Sequence, residues 1–99
     1  MSPLQWLGGS EDGLALRQLA GRWTNIDGSH YHLYLSRGRI DVLTIRPGGH
    51  RIFTEGLITE KAGIIYWGRR PKQFQMTAMS KGGVVWTRGS RQFIWQKLQ

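Results

Sequence analysis

His30-x-His32 places two imidazoles on one side of any β-strand, because side chains two residues apart share a face. That spacing can chelate zinc, with His50 or Glu55 as further ligands, yet a closed structural site wants four. Two solvent-facing histidines are the plainer reading. Catalysis needs a nucleophile beside a base, paired carboxylates or a phosphate loop. Asp27 reads as a turn residue, and Asp41 and Glu55 as solvent-facing strand positions. Gly48-Gly49 and Gly82-Gly83 read as hairpin turns without phosphate-loop spacing. Residues assembled only in three dimensions stay open as a site, but the expectation is a non-enzymatic protein with no metal and no cofactor.

Charge carries more information. The chain has a formal net charge of +8, and its placement is lopsided. Residues 1–60 hold six Arg and six acids, whereas residues 61–99 hold eight Lys or Arg and no acid. The excess therefore lies beside Tyr66, Trp67, Phe74, Trp86, Phe93 and Trp95. A small β-domain that presents cations around aromatic rings can bind single-stranded nucleic acid, the cations meeting phosphates and the rings stacking on bases. Arg69, Arg70, Lys72, Lys81, Arg88 and Arg91 are the expected contacts with an anionic partner. The same field suits an acidic protein surface or an anionic membrane scaffold, and charge does not choose between them.

These residues must be held by a small core. Ninety-nine residues allow one domain, spanning 1–99, with 1–13 expected as a loosely ordered lead. The 39% hydrophobic content is modest, but eleven aromatics, five of them Trp, bury large areas from few positions. The absence of Cys excludes disulfides, thiolate metal sites and Cys nucleophiles. No window resembles a membrane span or a signal peptide, so the cytoplasm is the default while the compartment stays open.

Turn signals recur about every ten residues, at Asp27-Gly28-Ser29, Ser36-Arg37-Gly38, Pro47-Gly48-Gly49, Lys61-Ala62-Gly63, Arg70-Pro71-Lys72, Lys81-Gly82-Gly83 and Gly89-Ser90. This rhythm predicts an all-β meander of about eight short antiparallel strands, near 21–26, 30–36, 39–46, 50–58, 64–69, 74–80, 84–88 and 91–98. It would close as a small barrel or a strongly curled sheet. Leu14, Leu16, Leu19 and Ala20, closed by Gly21, predict a short helical turn packed across one end. Several strands are apolar on both faces, which an antiparallel sheet with one wet face does not require. A second cover is expected, from within the monomer, a partner protein or another copy, at Leu43, Ile45, Phe53, Leu57, Ile65 and Trp67.

The stretch LAGRWTNIDGSHYHL adds a resemblance. Gly21-x-Trp23 after a helical turn resembles the opening of the calycins, the lipocalin-like up-and-down barrels, in which that Trp plugs one end. Trp23-Thr24-Asn25 with Gly28-Ser29 is similar to the first hairpin of avidins, a likeness covering about the first third of the chain. It implies that Asn25 and Ser29 bond a ureido oxygen, and that Asn25, Ser29, Tyr31 and Tyr34 offer polar groups at a barrel mouth. Thr44 stands where avidins place a ligand-binding Tyr, and no Asp follows Glu60 to meet ureido nitrogens. The same opening also resembles small bacterial protease inhibitors with eight-stranded barrels, which carry a disulfide that this chain lacks. A plain hairpin accounts for the same residues through backbone geometry. The sequence therefore points to a binding module that docks on a protein or on itself and offers a basic surface. Single-stranded nucleic-acid binding and a calycin-like small-molecule carrier or inhibitor are the alternatives.

Overall fold

The computed structural model describes residues 14–98, so the expectation of a loosely ordered lead at 1–13 lies outside the described residues. A short helix, α1 (Leu14–Leu19), precedes eight strands: β1 (Gly21–Asn25), β2 (His30–Ser36), β3 (Arg39–Ile45), β4 (Arg51–Lys61), β5 (Ile64–Trp67), β6 (Phe74–Met79), β7 (Gly83–Arg88) and β8 (Arg91–Lys97). Every strand pairs antiparallel with its sequence neighbour, and β8 returns to β1, so the sheet closes as a barrel in sequential order. Closure removes the unpaired edges that would otherwise invite aggregation.

The expected strands form, with one extension: β4 runs to Lys61 rather than ending at 58. The cause is the turn that follows. Ala62 and Gly63 both have positive φ (53° and 80°), the geometry of a two-residue hairpin turn, which requires Lys61 to pair with Ile64. Midway along β4 the register with β3 shifts, so that residues 55–57 stand opposite Asp41. The Asp41 carboxylate accepts the Gly56 N–H at 2.8 Å and meets Arg39 at 3.7 Å, so Asp41 is a structural acceptor rather than a plain solvent-facing residue.

The inner faces form one core. Trp23, Trp86 and Trp95 are fully buried, joined by Leu16 and Leu19 from α1 and by Ile40, Val42, Ile58 and Val84. At roughly 25 cal/mol per Å² and about 150–250 Å² per ring, each Trp contributes about 4–6 kcal/mol before entropy is set against it. The helix covers one end, where Trp23 Nε1 donates to Leu19 O at 2.8 Å. Lys97 Nζ lies 4.6 Å from the Trp23 ring centroid and donates to Ala20 O at 2.9 Å. Position 21 favours glycine because its φ of 127° is one that L side chains rarely adopt.

Pairing also decides which faces are inside. Ile58 is buried and pairs with Trp67, so Trp67 and Ile65 point inward with it. The expected six-residue apolar face is thus corrected. Ile65 is core, while Leu57 and Trp67 pack against the core from partly buried positions. Only Leu43, Ile45 and Phe53 remain on the outer wall, where Leu43 pairs with His32 and Phe53, and Phe53 is 58% exposed. No helix among the described residues is long and apolar enough to cross a membrane.

Candidate functional site

In an up-and-down barrel, alternate hairpin connections share an end. Those of β2–β3, β4–β5 and β6–β7 lie at the α1 end; those of β1–β2, β3–β4, β5–β6 and β7–β8 lie at the opposite end. Five of the six cations expected to meet an anion reach that opposite end: Arg69, Arg70 and Lys72 in the β5–β6 connection, and Arg88 and Arg91 flanking the β7–β8 turn. Lys81 lies apart. It sits in the β6–β7 connection and therefore at the α1 end, because one strand separates it from the others.

Two of the five are supported by rings. Arg88 Cζ stands 5.2 Å from the Phe74 centroid, and Arg91 Cζ stands 5.8 Å from Phe74 and 5.6 Å from Phe93. A guanidinium lying on a ring is held by its face, which leaves its N–H edge available to a carboxylate or phosphate. Among the described residues none of the five forms an ion pair, and only Arg69 makes a side-chain hydrogen bond, to Glu55 O at 3.2 Å. Asp27, in the β1–β2 connection, shares this end, and among the described residues the cations there outnumber it. Arg46, in the β3–β4 connection, joins the same end. Sequence reasoning missed it by attending only to the basic C-terminal segment, although hairpin parity would have found it.

Beneath these cations the barrel is packed with aromatic rings. Tyr31 stacks on Trp95 at 4.3 Å, and Trp67 contacts Tyr31, Phe74, Trp86, Phe93 and Trp95 at 4.8–5.7 Å. Trp86 and Trp95 are completely buried and so cannot be stacking platforms for bases. Asn25, Ser29, Tyr31 and Thr44 are buried on the inner face at this end. Asp27 caps the Ser29 N–H at 2.8 Å, and Asn25 Oδ1 accepts the Ile26 N–H at 2.8 Å, so the first hairpin is stabilised by its own side chains. Burial pushes the Tyr31 phenol above its ordinary value, and the Asp27 carboxylate pushes in the same direction; Ser29 and Asn25 oppose the rise. Ser29 Oγ nevertheless makes no hydrogen bond of good geometry, and neither do the Trp86 and Trp95 indole nitrogens. Tyr34 departs from this group. Strand alternation turns it to the outer wall, where it is 49% exposed and pairs with Asp41.

His30 and His32 also face outward from β2, paired with Ile45 and Leu43. Among the described residues no group of three or more His, Cys, Asp or Glu side chains is placed to hold a metal ion. Partial burial lowers the His32 pKa below its ordinary value, and Arg22, His30 and Arg51 lower it further, a field that opposes a bound cation.

No family model, no curated protein and no solved structure matches the chain, so its functional assignment rests on its own geometry.

Proposed function

We propose that this domain is a non-enzymatic binding module that docks on an acidic protein surface through the end of the barrel opposite α1. One observation carries the reading. Arg69, Arg70, Lys72, Arg88 and Arg91 gather there without ion-pair partners among the described residues, and two of them are laid over Phe74 and Phe93. Side chains held in place before the partner arrives lose less entropy on docking, and a net positive field speeds encounter with an opposite charge. The acidic surface is favoured over single-stranded nucleic acid because Trp23, Trp86 and Trp95 are fully buried, leaving partly buried Trp67 as the sole described indole that a base could reach near the basic end.

Poly-glutamate and a short oligothymidylate, titrated in parallel, test the reading. Poly-glutamate binding that weakens with salt and falls at least tenfold in Arg70→Glu/Lys72→Glu supports it. Tighter binding of the oligonucleotide, with quenching of Trp emission, transfers the reading to nucleic acid. Binding of neither at low salt ends both.

A second reading is favoured by the buried indole N–H groups of Trp86 and Trp95 and by Ser29 Oγ, for which the described residues provide no hydrogen bond of good geometry. They suit a small molecule rich in acceptor oxygens, carried within the barrel. Because Tyr31 and Trp95 are stacked, such a ligand must displace a ring or lodge above the pair. A thermal-shift screen of small ureas and carboxylates tests it, since a genuine ligand raises the melting temperature and loses that effect in Ser29→Ala.

A further inference from the structure

The outer wall of the barrel divides sharply by charge. Over β1–β4 it carries Arg22, Arg39, Asp41, Arg51 and Glu55 among its outward residues. Over β6–β8 the outward positions carry no charge, since Arg88, Arg91 and Lys97 share the inward parity of Trp86, Phe93 and Trp95 and lie at the strand ends. Ala78, Val85 and Ile94 pair in register across the three strands, forming an apolar row at its centre. The row borders a shallow apolar depression also lined by Ser80 and Gly83, and Ile94 is 55% exposed. Around it stand amides and hydroxyls: Gln75 and Gln92 both pair with Thr87, Gln96 pairs with Thr24, and Thr77 Oγ lies 2.9 Å from Thr87 Oγ. In a chain with a net charge of +8 and one charged residue in five, a three-strand wall without charge has the composition of an interface centre.

We infer that this wall is the contact between two copies of the chain, packed sheet on sheet. The chemistry of the wall selects a second copy over a different partner. In a two-fold contact each residue near the axis meets its own counterpart. Isoleucine packs on isoleucine, and a glutamine amide or threonine hydroxyl, being both donor and acceptor, bonds its own kind. A charged side chain cannot do this. The β6–β8 wall holds only self-complementary types, whereas the β1–β4 wall would oppose Arg to Arg. It also lets two strongly basic chains meet while keeping their cations off the contact. Antiparallel sheets pack face to face at about 10 Å, and the absence of long charged side chains here permits that approach. This contact goes beyond the acidic-surface reading and does not rest on it, since the cations at the end of the barrel are not part of the wall.

Sedimentation velocity on the full chain, across concentration and at two salt levels, tests the inference. The expected result is a monomer–dimer equilibrium that shifts toward dimer as salt screens the net repulsion. Ile94→Arg should move the midpoint at least tenfold toward higher concentration, and Phe53→Arg, on the opposite wall, should leave it in place. If Ile94→Arg does not fold, Gln92→Lys/Gln96→Lys at exposed positions must produce the same shift. A monomer at every concentration up to the millimolar range overturns the inference, as does a dimer that Phe53→Arg breaks while Ile94→Arg and the double lysine variant spare it.

Discussion

The Asp41 carboxylate accepts the backbone N–H of Gly56 across the β3–β4 ladder at 2.8 Å, at the point where the register of β4 shifts. One side chain thereby satisfies an amide that the bulge withdraws from the sheet. Asp41→Ala leaves that amide without its acceptor and should cost about 1–3 kcal/mol in urea denaturation. Asp41→Asn keeps an oxygen at the same place and should cost less.

Trp23 is expected to be the most sensitive residue at the α1 end. Trp23→Ala opens the core beneath Leu16 and Leu19 and should cost about 3–5 kcal/mol. Trp23→Phe keeps most of the ring but removes the bond to Leu19 O, so a loss of about 1–3 kcal/mol is expected. Thermal denaturation followed by circular dichroism distinguishes the two.

If the basic end of the barrel is one functional surface, position along the chain matters less than hairpin parity. Lys81→Glu and Arg70→Glu change the net charge equally, yet they act at opposite ends. On a cation-exchange resin both variants should elute earlier than the parent. In poly-glutamate titration only Arg70→Glu should weaken binding, by several-fold at low salt. Equal weakening by the two would reduce the proposed surface to net charge.

Acid should destabilise the fold through His32. Its folded pKa lies below the ordinary value because burial, followed by Arg22, His30 and Arg51, opposes the imidazolium. The unfolded chain therefore takes up this proton first as pH falls, and stability declines from about pH 6.5 down to the folded pKa. Melting temperature measured from pH 7.5 to 5 should fall less steeply in His32→Gln than in the parent.

Indole emission reports the interior. Trp23, Trp86 and Trp95 are fully buried, so their emission should be blue-shifted and resist acrylamide. Oligonucleotides should quench at most the share of the emission that partly buried Trp67 supplies.

Most of the fold was legible because turn chemistry is local. Glycines and Asp-Gly or Lys-Ala-Gly clusters mark hairpins whatever the rest of the chain does, and the strands between them fell within a few residues of their observed bounds. The inner face of β5 was not legible, because Ile64 and Tyr66 are as apolar as Ile65 and Trp67; only pairing with Ile58 decides. The candidate site was half legible. The basic segment was visible, but the end that each cation occupies depends on counting strands, which sends Lys81 away and brings Arg46 in. Tyr34 shows the reverse error: alternation already placed it opposite Tyr31, and likeness to a binding hairpin obscured that.

The pairing of Trp23 with Lys97 joins strands that are nearly a whole domain apart in the chain. Each neighbouring hairpin zips with little loop entropy to overcome, but the seam between β1 and β8 forms only when the entire meander has curled into register. Contacts of such separation slow folding. A doubling of the intervening loop costs only about 0.6 kcal/mol more, so the seam tolerates longer hairpins better than it tolerates a misplaced strand. The seam is therefore expected to be the last ladder to form and, under load or denaturant, the first line along which the barrel opens.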